Sequence, residues 1–136
     1  MNSENYIVII AHDSKKPDLV KFLKEREDWL WGRHLIATDL TASFVEDEAF
    51  KVPVTHVSAG RMGGYNELTQ KVQEGRVSMV IFFRDPEIQQ EHTADVNEFI
   101  KVCNVTNTPL ATNPASAELL ILGMIKMEAS MKGKVK

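Results

Sequence analysis

Polar and charged side chains follow the apolar run at residues 6 to 11 without a break. His12 and Asp13 come first, and Lys16 stands directly before Pro17. A charged pair rarely follows a run of apolar residues without some task, and a lysine at the first turn of a helix can hold a phosphate as a mobile point charge. Two plainer interpretations stay open, in which Asp13 caps the following helix and Lys16 is a solvated surface lysine.

His92 and Asp95 form a second candidate pair. They are three residues apart in a segment with helical periodicity, so they share one face of the predicted helix. There the carboxylate can orient the imidazole, or both residues can be ordinary surface charges. The other two histidines, His34 and His56, fall inside predicted strands, where we expect them to be packed or paired structurally.

A glycine-rich segment, Gly-Arg-Met-Gly-Gly at residues 60–64, leads into another predicted helix. Because glycine has no side chain, Gly60, Gly63 and Gly64 allow backbone amides to approach an anion at the positive end of that helix. The same composition is also typical of an ordinary turn. The segment is therefore a candidate phosphate loop only in combination with the other residues.

The spacing of histidines, cysteines and carboxylates does not predict a metal site. No His-x-x-x-His or Cys-x-x-Cys pattern occurs, and the single cysteine, Cys103, lies among apolar residues, where we expect an inert thiol. The chain also lacks a Gly-x-Ser-x-Gly elbow, a Walker phosphate loop and a Gly-x-Gly-x-x-Gly fingerprint. We therefore expect neither a metal nor another cofactor.

Five short runs rich in Val, Ile and Phe alternate with segments of helical periodicity. This alternation predicts an α/β fold, a doubly wound five-stranded parallel sheet with helices on both faces. We expect the lysine-rich tail, 131–136, to fray. The strand candidates are 6–11, 34–38, 54–58, 77–83 and 109–113, and the helix candidates begin near Pro17, Ala42, Gly64, His92 and Pro114.

The candidate site residues all follow predicted strands. Ligands of doubly wound sheets bind beyond the carboxyl ends of the strands, so we expect these residues to meet at one edge of the sheet. The segments concerned are 12–16, 39–41, 59–66 and 84–86, with His92 and Asp95 further along the chain.

Size and composition are those of one globular domain, which we expect to span residues 1–136. With 43% hydrophobic and 26% charged residues, the chain does not have the composition of a disordered protein. A net charge of −3 and a pI near 5.8 argue against nucleic acids and anionic membranes as partners. No run approaches the roughly 18 apolar residues of a membrane span, and the amino terminus lacks a signal-peptide pattern, so we expect a cytoplasmic protein.

Six segments, taken in order, resemble the signature series of the methylglyoxal synthase family. The resemblance extends from about residue 6 to residue 121. It implies a flavodoxin-like, three-layer α/β/α fold and assembly as a homohexamer. It also implies a lyase reaction of the methylglyoxal bypass, in which dihydroxyacetone phosphate loses a proton, forms an enediol and eliminates inorganic phosphate to give methylglyoxal. The segments are Ala11-His12-Asp13, Ala37-Thr38, Gly60-x-Met62-Gly63-Gly64, Phe82-Phe83-Arg84-Asp85-Pro86, His92-x-x-Asp95 and Pro109-Leu110-Ala111-Thr112-Asn113.

The resemblance also implies roles for individual residues. His92 matches the histidine expected to polarise or protonate the substrate oxygen. The other matches to catalytic positions are His12, Asp13, Asp85 and Asp95, and the phosphate or substrate contacts are Lys16, Thr38, Thr41, Gly60, Arg61, Gly63 and Gly64.

Several of these positions depart from the family's pattern. Where the family has Thr-Gly-Thr-Thr-Gly, residues 38–42 are Thr-Asp-Leu-Thr-Ala, which removes one hydroxyl and both glycines and adds a negative charge. Ala59 also replaces a serine, so we expect weaker phosphate binding. Arg61, at a position that is usually proline, could neutralise Asp39 or supply a guanidinium fork in place of the lost donors.

The main departure is Tyr65, which stands where the family has its general-base aspartate. A phenol with a reference pKa near 10 is only about 0.1% ionised at pH 7, so it is a poor replacement for a carboxylate. Three repairs stay open: another carboxylate reaches the proton, nearby cations lower the pKa of the phenol, or the loop realigns to bring in a glutamate. The first repair would use Asp13, Asp85 or Asp95, the second Arg61 and Lys16, and the third Glu67.

Functions from different classes therefore remain open. The first is an enzyme of the methylglyoxal synthase type whose activity is weak or altered. The second is a non-catalytic effector-sensing module that binds inorganic phosphate or a small phosphorylated metabolite. The third is a structural subunit that assembles with an active paralogue.

Overall fold

The computed structural model describes residues 5–87 and 93–134. In this part of the chain, five parallel strands form one sheet in the order β3-β2-β1-β4-β5. The prediction of a flavodoxin-like, doubly wound parallel sheet is therefore confirmed. The strands are β1 (Tyr6–Ala11), β2 (His34–Thr38), β3 (Val54–Val57), β4 (Val77–Phe83) and β5 (Leu110–Ala111).

Helices cover both faces of the sheet. Helices α1, α2, α3 and α6 pack on one face, and α4 and α5 pack on the other. Short 3₁₀ turns at Asp13–Lys15 and Gly60–Met62 follow β1 and β3. The helices are α1 (Lys16–Lys24), α2 (Glu27–Leu30), α3 (Asp39–Asp47), α4 (Gly64–Gln73), α5 (Thr93–Val105) and α6 (Pro114–Lys134). Within the described residues, no helix is both long enough and apolar enough to cross a bilayer.

The alternation of side chains along β1 divides the core into two halves. Ile7 and Ile9 face the helices of the first layer, whereas Val8 and Ile10 face α4 and α5. Every residue of β1 is buried, as expected for a central strand covered on both sides. The next residue, His12, meets Phe82 edge-on, with ring centroids 5.5 Å apart, and so lies toward the α4 and α5 face.

Some boundaries differ from the prediction. Helix α3 begins at Asp39 rather than near Ala42, because Thr38 already has the extended backbone of an N-cap and a carboxylate is favourable in the first turn. The four-residue α2 was not predicted, since it is too short to show helical periodicity. Strand β3 ends one residue before the predicted limit, and β5 has two residues rather than the predicted 109–113.

The end of the chain also differs from expectation. Helix α6 continues to Lys134, so the expected fraying is wrong for residues 131–134. The predicted start of α5 near His92 lies outside the described residues, and α5 is described from Thr93.

The strand order places a topological switch point at the centre of the sheet. The chain moves outward from β1 to β3 and then returns to β4 on the other side of β1. The loops after β1 and β4 are therefore neighbours at the carboxyl edge, which is where doubly wound sheets bind ligands.

Candidate functional site

His12 is held at the switch point by backbone groups of the two central strands. Its amide donates to the carbonyl oxygen of Phe83 at 3.1 Å, and the amide of Asp85 donates to its Nδ1 at 2.7 Å. Because Nδ1 accepts a hydrogen bond, the neutral imidazole carries its proton on Nε2. The loop after β4 thus sets both the orientation and the tautomer of a buried histidine.

Asp13 and Lys16 form an ion pair at the start of α1. Nζ of Lys16 donates to Oδ1 of Asp13 at 2.5 Å, with the lysine side chain 10% exposed and the aspartate side chain 90% exposed. The hydrogen bond and charge of Lys16 hold the pKa of Asp13 below its usual range. The surface-lysine interpretation is therefore wrong, and the Asp13 carboxylate pairs with Lys16.

Asp85 links the loop after β4 to the loop after β1. Its Oδ2 accepts from Oγ of Ser14 at 2.6 Å, and its Oδ1 accepts from the amide of Glu87 at 2.9 Å. These bonds, chiefly the one from Ser14, lower the pKa of Asp85. Both carboxylate oxygens of Asp85 are therefore already used to hold the two loops together.

Tyr65 turns its ring into the core between α4, α5 and the sheet. The residue is only 4% exposed, and its ring stacks on Phe82 at 6.0 Å and tilts against Phe99 at 6.4 Å, measured between centroids. Burial raises the pKa of the phenol to about 12, although the positive charge of Arg84 opposes the shift. The hypothesis that nearby cations lower this pKa is wrong, because desolvation outweighs them.

The Tyr65 phenol is nevertheless affected by charges of the candidate catalytic loops. The charge of Asp13 also raises the pKa of the phenol, so the two groups are within electrostatic range. Arg84 lies over the ring of Phe82 at 5.6 Å from its centroid. The phenol, a carboxylate and a guanidinium thus approach the same edge of the sheet.

The glycine-rich loop after β3 is shaped largely by its own packing. Gly63 has φ of 96°, which favours glycine, and a Cβ on Gly64 would lie 2.0 Å from the carbonyl oxygen of Ser58. The amides of Met62 and Gly64 both donate to the carbonyl oxygen of Ala59, at 2.8 and 3.0 Å. These amides are therefore occupied within the loop rather than directed at an anion.

Gly60 and Arg61 complete this loop. A Cβ on Gly60 would lie 2.6 Å from Cε2 of Tyr65, so the tyrosine ring packs directly on the glycine. Arg61 lies in the 3₁₀ turn, and its side chain falls outside what the structure describes. The interpretation of residues 60–64 as an ordinary turn accounts for Gly60, Gly63 and Gly64 without a ligand.

The loop between β2 and α3 places two hydroxyls next to each other. Thr38 and Thr41 are both buried, with their Oγ1 atoms 3.4 Å apart. Asp39, the first residue of α3, turns to His56 on β3, and its Oδ1 lies 2.9 Å from Nδ1 of the imidazole. The expectation that His56 is paired is confirmed, and His34 meets Tyr6 edge-on.

The remaining candidate residues have no described contact with His12, Asp13 or Lys16. Glu67 accepts a hydrogen bond from the amide of Ser58 at 3.3 Å, so its carboxylate serves the loop after β3. Asp95 lies in the first turn of α5, and His92 lies outside the described residues, so their pairing stays a prediction. Cys103 is buried, and burial raises the pKa of its thiol to about 11, as expected of an inert cysteine.

Two residues of the site were missed or undervalued in the sequence. Ser14 belongs to no motif, although its position between the candidate residues Asp13 and Lys16 was a signal. His56 was assigned a structural role, although an acidic residue had entered the loop before α3. Both act through contacts between distant segments, since Ser14 and Asp85 are 71 residues apart.

A cleft of about 570 Å³ opens beside the switch point. It lies on the α1 and α6 side of the sheet, and the described residues along it do not include His12, Lys16 or Tyr65. The cleft and the catalytic candidates therefore overlap only at Asp85. Its lining residues are Lys15, Asp18, Phe83, Arg84, Asp85, Pro86, Thr112, Asn113 and Pro114.

Comparison with known proteins gives one consistent result. The family model of the MGS-like domain matches residues 18–112. The methylglyoxal synthase of Borrelia garinii subsp. bavariensis is 43% identical over 120 residues, covering 88% of this chain and 94% of that protein. The methylglyoxal synthase of Cupriavidus pinatubonensis is 42% identical over 123 residues, covering 90% and 94%. The crystal structure of methylglyoxal synthase from Elizabethkingia anophelis NUHP1 is similar with a TM-score of 0.79 and 37% identity, over 88% of this chain and 78% of that one.

Proposed function

Because this chain belongs to the methylglyoxal synthase family, we propose that it converts dihydroxyacetone phosphate to methylglyoxal and inorganic phosphate. The observation that supports this activity is the meeting of His12, Asp13, Lys16 and Asp85 at the switch point. These groups supply a positioned imidazole, an ionised carboxylate and a cation for a phosphate. In this proposal the protein acts in the cytoplasm and assembles as the homohexamer that the family resemblance implies.

The reaction needs a group that removes a carbon-bound proton and a group that holds the phosphate. Lys16 is the phosphate cation of this proposal, because its ammonium is nearly buried at the first residue of α1. The enediolate left by proton removal expels inorganic phosphate by breaking the carbon–oxygen bond, and the enol so formed gains a proton at its terminal carbon to give methylglyoxal. His92 polarises or protonates the substrate oxygen, with Asp95 as its acidic partner, in the roles that the family resemblance implies.

Asp13 is the proposed general base in place of the missing aspartate. Its carboxylate is ionised, exposed and within electrostatic range of the Tyr65 hydroxyl. Asp85 is a poorer candidate, since both of its oxygens hold the loops together. Tyr65 cannot take this role, because its phenol stays protonated until the pH approaches its pKa of about 12.

A second function is favoured by the same tyrosine. A buried phenol at the family's base position suits a module that binds inorganic phosphate or a phosphorylated metabolite without turnover. In this alternative Lys16 still holds the anion, and Asp13 serves as its counter-ion. Turnover of dihydroxyacetone phosphate distinguishes the two functions, because both predict binding and the synthase alone predicts product.

The test is a turnover assay on three variants. Asp13→Asn should lower kcat on the order of 100-fold to 10,000-fold, the usual loss when a positioned base is removed. Tyr65→Phe should leave kcat within about threefold, because the phenol stays neutral and contributes packing. Asp28→Asn, which changes an exposed aspartate of α2, is the matched control and should resemble wild type.

Each outcome assigns the function. No methylglyoxal from the wild-type protein, together with stabilisation by phosphate, would support the binding module and reject the synthase. Wild-type turnover that survives Asp13→Asn would keep the synthase and move the base to another residue. Turnover lost in Tyr65→Phe would show that the phenol takes part after all.

A further inference from the structure

A cluster of three charged residues lies beside the loop that begins α3, outside the proposed chemistry. Asp39 and Glu46 are seven residues apart on α3, which places them on the same face two turns apart. His56 projects from β3 between them. Its Nδ1 lies 2.9 Å from Oδ1 of Asp39, and its Nε2 lies 2.9 Å from Oε1 of Glu46.

This geometry selects one protonation state of His56. Ionised carboxylates only accept hydrogen bonds, so both ring nitrogens must donate to satisfy both contacts, and only the imidazolium can do so. The hydrogen bonds that His56 donates to Asp39 and Glu46 raise the pKa of His56 accordingly. The cluster is therefore a bridge between two carboxylates that needs a positive charge at its centre.

The surroundings of His56 supply no closer competing charge among the described residues. The elements packed on β3 are β2, α3 and α4. On the α4 side, a groove that His56 also lines carries Glu67, Lys71, Glu74 and Arg76, while α3 supplies the two direct partners. Within residues 5–87 and 93–134, no group of three or more His, Cys, Asp and Glu side chains could hold a metal ion. The contacts of the cluster are those of a histidine paired with two carboxylates.

The position of Asp39 connects this cluster to the loop between β2 and α3. Asp39 is the first residue of α3 and directly follows Thr38, whose buried hydroxyl lies by that of Thr41. A carboxylate at this place would repel a phosphate bound at the loop, and the repulsion is strongest when no cation balances it. His56 supplies that cation and draws the carboxylate toward β3.

We propose that protonated His56 is a positioning residue that holds Asp39 out of the anion pocket and thereby couples affinity for a phosphorylated ligand to pH. The inference rests on the proposed function, since it assumes that the loop after β2 borders the phosphate. The sign follows from the charge. Because the folded protein favours the imidazolium, affinity is full below the ordinary histidine pKa of about 6.5 and falls as the pH rises through the higher value in the protein.

The experiment measures sulfate binding by calorimetry between pH 6 and pH 9 at constant ionic strength. Sulfate is the probe because it stays a dianion over this range, whereas phosphate itself titrates. Wild type should lose affinity on the order of tenfold across the range. Asp39→Asn should bind at least as tightly and lose most of this pH dependence. His56→Gln should bind weakly even at pH 6, and Asp39→Asn in the same chain should restore binding.

His34→Gln is the matched control, because His34 is an exposed strand histidine at the far end of β2. It should keep the wild-type profile. Nitrogen-15 imidazole spectra give a second readout, since the pKa of His56 should fall in Asp39→Asn. Sulfate affinity that is unchanged by His56→Gln would overturn this inference alone. A wild type that binds neither sulfate nor inorganic phosphate would overturn both the inference and the proposed function.

Discussion

The ring of Tyr65 occupies space between Phe82 and Phe99 that a carboxylate side chain would leave empty. The aspartate that the family resemblance implies here and this tyrosine therefore differ in packing as well as in chemistry. An aspartate is too short to reach this part of the core, whereas the phenol ring packs into it. The residue has become part of the packing of α4 against α5, and the proposed proton acceptor is on a different loop.

Tyr65→Asp should separate these two effects. We expect the free energy of unfolding to fall by about 3–5 kcal/mol, the usual cost of removing a buried aromatic ring, as measured by urea denaturation. In the molecules that stay folded, kcat should rise, because an ionised carboxylate then stands at the family's base position.

Tyr65→Leu is the control, since it shortens the side chain without adding a carboxylate. It should lose stability and gain no activity. A kcat per folded molecule that falls in Tyr65→Asp would show that the phenol itself contributes to the reaction.

Part of the candidate site could be predicted because its residues are polar in an apolar setting. His12, Asp13 and Lys16 follow a wholly buried strand, and their position at the strand end was enough to nominate them. The bond from Asp85 to His12 joins residues 73 positions apart, which no local pattern reveals. The inward direction of Tyr65 was equally hidden, because it depends on how α4 packs on the sheet.

At the level of elements, β1 and β4 were predicted to the residue, because their side chains are hydrophobic apart from Ser78 and charged residues follow each strand. Helix α3 was placed three residues too late, since its first turn begins with the charged Asp39 and an exposed Leu40, which do not follow the apolar periodicity of a buried helix face. Strand β5 was predicted to span residues 109–113, but only Leu110 and Ala111 pair with β4. The sequence does not show where this pairing stops.

Alanine substitutions of two helix glycines, Gly64 and Gly123, should have opposite effects on stability. Gly64→Ala should be strongly destabilising, because its Cβ would lie 2.0 Å from the carbonyl oxygen of Ser58 and 2.9 Å from that of Ala59. Gly123→Ala should instead stabilise by about 0.5–1 kcal/mol, since Gly123 lies inside α6 with no atom near the added methyl group. Thermal or urea unfolding of both variants measures the difference. Equal effects of the two substitutions would refute the close approach at Gly64.

On the scale of the molecule, α6 carries apolar residues on its exposed side as well as on the side that packs on the protein. Arg33 donates two hydrogen bonds to Glu128, at 2.8 and 2.9 Å, and stacks over Trp29, while Arg26 pairs with Glu118. These contacts hold one side of α6 on the first helix layer. Large apolar residues remain exposed along α6, namely Leu119, Leu122, Ile125, Met127 and Met131.

The proposed homohexamer predicts a native mass of about six times 15.3 kDa. Light scattering at micromolar concentration measures this mass directly. If the exposed side of α6 contributes to assembly, Leu122→Glu should lower the mass, because a charge would replace a side chain that is 51% exposed in the single chain. Lys101→Glu, a charge change at an exposed position of α5, is the control. A monomeric wild type would reject the hexamer.

The contact of Tyr65 with Gly60 couples the two positions. The ring lies 2.6 Å from where a Cβ at position 60 would stand, so a side chain there requires the ring to move. Substitutions at residues 60 and 65 should therefore have non-additive effects on stability, because each changes the space that the other occupies.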